Sequence, residues 1–210
     1  TIGRFVVVAD GGGVGAALAA RLRERGCSVD VLEPPALLDE AALLAWCHAR
    51  PGPLAGVVHL AALDRLPLDL QASTEDWRRQ LQASEKSLFV LLRESSAQLA
   101  DGAHVLAATA LGGRYGRDGR CAGAALTLQG GSVGLLKSLH EERPGLRVKA
   151  VDTDPSEDAE AIAAALLGEL ELDGGRIEVG YPSGQRTVFR TVAAPDEPAR
   201  RTVEVEAFCS

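Results

Sequence analysis

Asparagine and methionine are absent from the 210 residues, and lysine occurs only at Lys86, Lys137 and Lys149. Aromatic residues make up 4% of the chain, with tyrosine confined to Tyr115 and Tyr181, so chemistry that depends on a tyrosine or an asparagine has few or no places to reside. No apolar run approaches the roughly 20 residues that a membrane-spanning helix needs. No basic stretch and signal core stand before the first apolar segment, Arg4 to Ala9, and a cytoplasmic protein is expected. Cys27, Cys47, Cys121 and Cys209 are scattered without a C-x-x-C pair, which argues against a zinc knuckle or a dithiol redox site. Cys47-His48 is the one adjacent soft-ligand pair, and with no further ligand at metal spacing no metal is expected. A net charge of −7 without a basic stripe disfavours nucleic acid and anionic membrane as partners.

What is present is an alternation of strand and helix patterns, the signature of a parallel α/β sheet. Arg4 to Ala9 reads as a buried strand, followed by glycines and a helix from Val14 to Glu24 with Gly26 at its C-terminal cap. A strand over Ser28 to Glu33 precedes Pro34-Pro35 and a helix near Leu37 to Ala49. Gly56 to Leu60 is the third strand. Ser73, with Asp76 three residues on, caps what reads as the longest helix, running to about Leu99. Ala103 to Thr109 is a strand, 112 to 123 a glycine-rich loop and Ala125 to His140 a helix. Leu146 to Asp152, Ser156 to Leu170 and Arg176 to Gly180 give strand, helix and strand, and Arg186 to Val192 a hairpin partner. The expected architecture is one truncated Rossmann-like, three-layer domain with a mostly parallel sheet over residues 1–192. Residues 193–210 follow as a linker or edge strand, with Thr202 to Glu206 the strand candidate.

Asp10-Gly11-Gly12-Gly13-Val14-Gly15 lies where such a fold cradles the diphosphate of a dinucleotide, between a strand and the N-terminus of a helix. Gly11, Gly12, Gly13 and Gly15 are therefore candidate cofactor residues, and Glu33, ending the second strand, is placed for ribose hydroxyls. The segment Gly56-Val57-Val58-His59-Leu60-Ala61-Ala62-Leu63-Asp64 resembles the corresponding strand and loop of polyketide synthase ketoreductases, members of the short-chain dehydrogenase/reductase superfamily. So do Lys86 in Ser84-Glu85-Lys86, the helix Gly130-Gly131-Ser132 to Leu139 with Glu141, and Val148-Lys149-Ala150-Val151-Asp152. Ile177-Glu178-Val179-Gly180-Tyr181 with Arg186 resembles the tail of the non-catalytic halves of these ketoreductases.

The resemblance spans about residues 5 to 192 and implies positions for a catalytic set that this chain does not supply. The family's tyrosine acid falls on Ala125 and its relay residue on Gln129. Lys86 and Thr109 are candidate remnants, and Tyr115 matches an aromatic of the non-catalytic halves. Val8-Ala9 and Ala62 stand where the family has residues that let the backbone approach the cofactor, and Glu33 would repel the 2′-phosphate of NADPH. Losing a positioned general acid costs about 10²- to 10⁴-fold. The leading expectation is accordingly a non-catalytic structural domain without cofactor, a pseudo-ketoreductase bracing a catalytic ketoreductase half or other synthase domains in the same polypeptide, with self-association as a further partner. The alternatives are an NADPH-dependent ketoreductase acting on a β-ketoacyl group carried by an acyl carrier protein, and a nucleotide-holding regulatory module. Only 22 residues lie between Glu33 and Gly56, too few for the usual extra strand and helix.

Overall fold

A computed structural model describes residues 2–64, 72–117, 125–172 and 175–190. Seven strands form one sheet in the order β2-β1-β3-β4-β5-β6-β7, parallel throughout except for the last pair. They are β1 (Arg4–Val8), β2 (Ser28–Leu32), β3 (Leu54–His59), β4 (Leu99–Thr109), β5 (Arg147–Thr153), β6 (Glu178–Tyr181) and β7 (Thr187–Val188). The connecting helices are α1 (Val14–Glu24), α2 (Glu40–His48), α3 (Thr74–Leu81), α4 (Ser87–Ser95), α5 (Ala125–Glu142) and α6 (Ala159–Glu171).

The strand residues alternate between two cores, as a pleated sheet covered on both faces requires. Phe5 and Val7 pack with Leu18 and Leu22 of α1 and with Leu166 and Leu170 of α6. Val6 and Val8 pack on the opposite face with Leu43 of α2, Leu88 and Leu91 of α4 and Leu136 of α5. The expected three-layer architecture and the shortened crossover between the second and third strands are both present, with β2 left as the outermost strand.

Local signals act where they were read. The amides of Gly26 and Cys27 close α1 on the carbonyls of Arg23 and Leu22. Ser73 and Asp76 form a reciprocal capping box at α3. Four boundaries differ from expectation. The helix expected to run unbroken from Ser73 to Leu99 contains a π-turn at Gln82–Lys86 and ends at Ser95. Ser84 and Ser87 donate their hydroxyls to the carbonyls of Gln80 and Ala83, bonds that compete with the regular ladder. Leu99 already belongs to β4, pairing with Leu54 across a register irregularity. Of the hairpin partner expected over Arg186 to Val192, the described residues show the two-residue β7, with 191 and 192 outside them, and Asp158, whose side chain accepts from the Ala161 amide, rather than Ser156, starts α6. The proposed edge strand at Thr202 to Glu206 lies outside the described residues.

Candidate functional site

In an open parallel sheet a ligand binds beyond the carboxyl ends of the strands where the strand order reverses, here beside β1. The glycine loop sits at that point. Gly13 adopts φ +92° immediately before α1, a left-handed conformation that costs a side-chain-bearing residue energy. Gly15 is needed for close approach: a Cβ there would come 2.9 Å from the Ala9 Cα. A Cβ on Gly12 would come within 2.8 Å of the buried Asp10 Oδ2, so a side chain there would clash with the carboxylate, whereas on Gly13 it would meet nothing nearer than 4.0 Å. Gly11 and Gly12 are exposed and Gly13 is half-buried, so this stretch presents backbone to the outside.

The loop is held from within by a carboxylate. Asp10 is 8% exposed. It accepts from the amides of Gly15 at 2.7 Å, Gly12 at 3.0 Å and Val14 at 3.3 Å. A second carboxylate reaches the loop from the segment after β3: Asp64 Oδ1 accepts from the Gly11 amide at 2.6 Å. Desolvation raises the Asp64 pKa above the usual carboxylate value; the Gly11 bond opposes this and the nearby Asp10 adds to it. Glu33 is exposed at the end of β2, and the Ala9 amide bonds the preceding Leu32 carbonyl, which sets that strand end beside the loop. Val8, Ala9 and Ala62 were expected to obstruct the approach of a ligand. All three are buried, and a Cβ built on Gly12 or Gly13 meets none of them.

The carboxyl ends of β4 and β5 form a second cluster, built around Asp152. Its Oδ1 accepts from the Thr109 hydroxyl and the Leu111 amide, and its Oδ2 from the Tyr115 amide, each at 2.7 Å. Burial raises the Asp152 pKa, while these hydrogen bonds work to lower it. Tyr115 takes φ +54°, and its hydroxyl donates into the sheet to the carbonyls of Ala150 at 2.6 Å and Val179 at 3.1 Å. Burial pushes its pKa upward. The hydroxyl of Tyr181 donates to Glu169, which also binds Arg186 and the buried Lys149. Both tyrosine hydroxyls are thus committed to internal partners.

Of the candidate catalytic positions, Thr109 ends β4 and is turned onto Asp152. Gln129 is buried and accepts from the Ala110 amide at 2.8 Å, so it fixes the strand end. Ala125 opens α5, and its side chain lies outside the described residues. Lys86 is exposed on the π-turn and makes no part of this cluster among the described residues. Cys47 is buried while His48 is exposed and pairs with Glu94 at 3.1 Å.

Three further groups carry the geometry without having been singled out as site residues in the sequence: Asp10, Asp64 and Asp152. Only Asp10 had a local signal, an aspartate directly ahead of glycine amides at a helix start. Beneath the two clusters, His59 at the end of β3 is 1% exposed and bonds Ser87 across 2.9 Å. Since the Ser87 hydroxyl donates to helix carbonyls, the His59 Nε2–H is the donor in this pair. Burial holds its pKa at about 3.

No protein-family model and no curated protein matches the sequence. Solved structures do match the fold. A small-chain dehydrogenase in complex with NADPH superposes with a TM-score of 0.72 at 13% identity, covering 88% of this chain and 99% of that one. Another small-chain dehydrogenase gives 0.68 at 16% identity over 82% and 91% of the two chains. A short-chain dehydrogenase/reductase from Serratia marcescens gives 0.66 at 22% identity over 84% and 94%. At these identities the likeness establishes the fold, which is that of short-chain dehydrogenases and reductases.

These neighbours correct two expectations. A domain with no enzymatic function was expected from the missing tyrosine and asparagine, and one without cofactor from Val8-Ala9, Ala62 and Glu33. The three structures above are of dehydrogenases or reductases, and one of them is an NADPH complex. Among the described residues no helix is long and apolar enough to cross a membrane.

Proposed function

We propose that this chain is an oxidoreductase-type domain that binds a nicotinamide dinucleotide across the carboxyl ends of β1, β2 and β3 and serves the reduction of a β-ketoacyl thioester. The observation that carries the reading is the outward-facing backbone of Gly12 and Gly13, at the strand-order reversal, beside the exposed carboxylate of Glu33. A side chain at Gly13 would stand in the open space from which a diphosphate approaches the backbone, and one at Gly12 would push against the Asp10 carboxylate that shapes the turn. The N-terminus of α1 adds the favourable end of a helix dipole.

The residues fit a dinucleotide in distinct ways. Glu33 accepts from the two hydroxyls of an adenosine ribose and opposes a 2′-phosphate, favouring NADH over NADPH. The backbone of Gly12 and Gly13 faces the diphosphate, and Asp10 keeps the turn in shape from inside. When bound, the cofactor would supply a hydride, and the proton that completes the reduction of the ketone would come from water. Gln129 and Thr109 hold the end of β4 rather than a substrate proton, and neither Tyr115 nor Tyr181 is assigned one to give. The thioester substrate rests on the resemblance of residues 56–64 and 130–141 to polyketide synthase ketoreductases.

Calorimetric titration of the chain with NADH and NADPH tests the cofactor. The expected result is saturable binding of NADH, roughly tenfold tighter than NADPH, with the preference erased in Glu33→Ala. Silence with both at millimolar concentration would overturn the reading. Consumption of NADH with a β-ketoacyl thioester then tests the substrate class.

A further inference from the structure

The inside of the glycine loop and its entrance are both filled by the chain's own carboxylates, and the two differ in how firmly they are held. Asp10 is buried and makes three amide bonds spread over Gly12, Val14 and Gly15. Such an arrangement shapes the turn and has no replacement if the carboxylate leaves. Among the described residues the Asp64 carboxylate is bonded by the Gly11 amide, and the residue is only partly buried. It stands at the end of a single 3₁₀ turn, Ala61–Leu63, rather than inside a helix or strand.

We propose that Asp64 is an internal occupant of the anion cradle, its carboxylate on the Gly11 amide where a diphosphate oxygen would bind, and that it sets the affinity of the loop for dinucleotides. The proposal rests on the reading of this loop as a dinucleotide site. A Cβ built on Gly11 would meet Asp64 Oδ1 at 3.2 Å, which places the carboxylate directly over the first glycine. A diphosphate arriving there meets a like charge on a donor it needs. Two anions within hydrogen-bond reach of one amide repel, and a ligand must either displace Asp64 or forgo that contact. The direction of the Asp64 pKa agrees: its carboxylate is less well stabilised than one in water, so the Gly11 amide bond does not repay its partial burial and the nearness of Asp10. Displacement of Asp64 therefore exposes the Gly11 amide without disturbing the turn that Asp10 maintains.

The test compares the full chain with Asp64→Ala, which removes the occupant, and Asp64→Asn, which keeps an acceptor and removes the charge. Binding of ADP, adenosine and NADH is measured by calorimetry for all three, after thermal melts establish that the variants fold. Both variants are expected to bind ADP and NADH roughly tenfold or more tightly than the parent chain, with adenosine, which lacks phosphate, unchanged. Equal or weaker ADP binding by both variants, or an equal gain for adenosine, would overturn the proposal. If the variants gain affinity for ADP while no form takes NADH, the Asp64 assignment stands and the nicotinamide reading fails. If NADH binds all three forms alike, the reading stands and the assignment fails.

Discussion

Asp10, just after β1, and Asp152, near the end of β5, do the same local work. Each is a buried carboxylate that draws in backbone amides from a following or neighbouring turn. Around Asp10 the residues drawn in are mostly glycines, so the far side of the turn is bare backbone facing outward. Around Asp152 the amides of Leu111 and Tyr115 belong to residues with side chains, with Gly113 between them. The Thr109 hydroxyl is consumed by the carboxylate itself, and the Tyr115 ring is driven back so that its hydroxyl reaches sheet carbonyls. One device yields an open, outward-facing turn in the first region and a closed, self-satisfied cluster in the second. Residue type in the turn, not the carboxylate, decides which.

Removing the organiser of the closed cluster is the most severe way to break this contrast. Asp152→Ala strands the Thr109 hydroxyl and the amides of Leu111 and Tyr115 in buried surroundings, at about 1–3 kcal/mol each. Urea unfolding is expected to show a loss of about 3 kcal/mol or more. A loss below about 1 kcal/mol would mean that the cluster is not held by Asp152.

His59, between β1 and β4 in the sheet, links the two regions and gives a pH-dependent effect of intermediate size. Its folded pKa is about 3, against about 6.5 in an unfolded chain. Between those values the unfolded chain binds a proton that the folded one does not. Its contribution to stability is therefore complete above about pH 6.5 and is lost as pH falls toward 3, with a slope of at most about 1.4 kcal/mol per pH unit. His59→Gln should flatten that part of the stability profile relative to the parent chain. Parallel profiles for the two proteins would show that His59 titrates normally.

The smallest effect sharpens the comparison rather than breaking it. Tyr115→Phe keeps the ring and deletes the hydroxyl bonds to Ala150 and Val179, a change of about 1 kcal/mol in thermal stability. NADH affinity and any turnover are expected to stay unchanged. A marked loss of turnover in this variant would place Tyr115 in the chemistry and reopen the second region as a catalytic one.

The order of strands and helices was legible because two patterns write it into the sequence: a short unbroken apolar run in β1, and apolar residues at helical spacing in α1, α5 and α6. The capping box at Ser73 and the cap at Gly26 were legible for the same reason, since each depends on residues within a few positions. The π-turn was not. Ser84 and Ser87 look like ordinary helix residues until their hydroxyls are seen on carbonyls four residues back. Thr109 was rightly read as ending a strand, but its partner Asp152 lies 43 residues on. The Asp64 contact with Gly11 spans 53 residues, and no spacing rule reaches that far. The missing tyrosine and asparagine were read as ruling out an enzyme, and Val8-Ala9, Ala62 and Glu33 as ruling out a cofactor. A missing acid at one position limits a mechanism, but it leaves a backbone cradle at another position untouched.

The shortened crossover that leaves β2 outermost has a consequence for how the molecule coexists with copies of itself. An outermost strand offers unsatisfied backbone groups along one side, a template on which another chain can add and from which aggregates grow. Asp30 stands at the middle of that strand, 3.8 Å from an Arg4 guanidinium nitrogen and 3.9 Å from one of Arg50. A strand laid alongside would have to desolvate this charge cluster before gaining its own backbone bonds. Trimming a sheet is thus tolerable where the newly exposed margin already carries charge, and the Asp30 cluster marks β2 as such a margin.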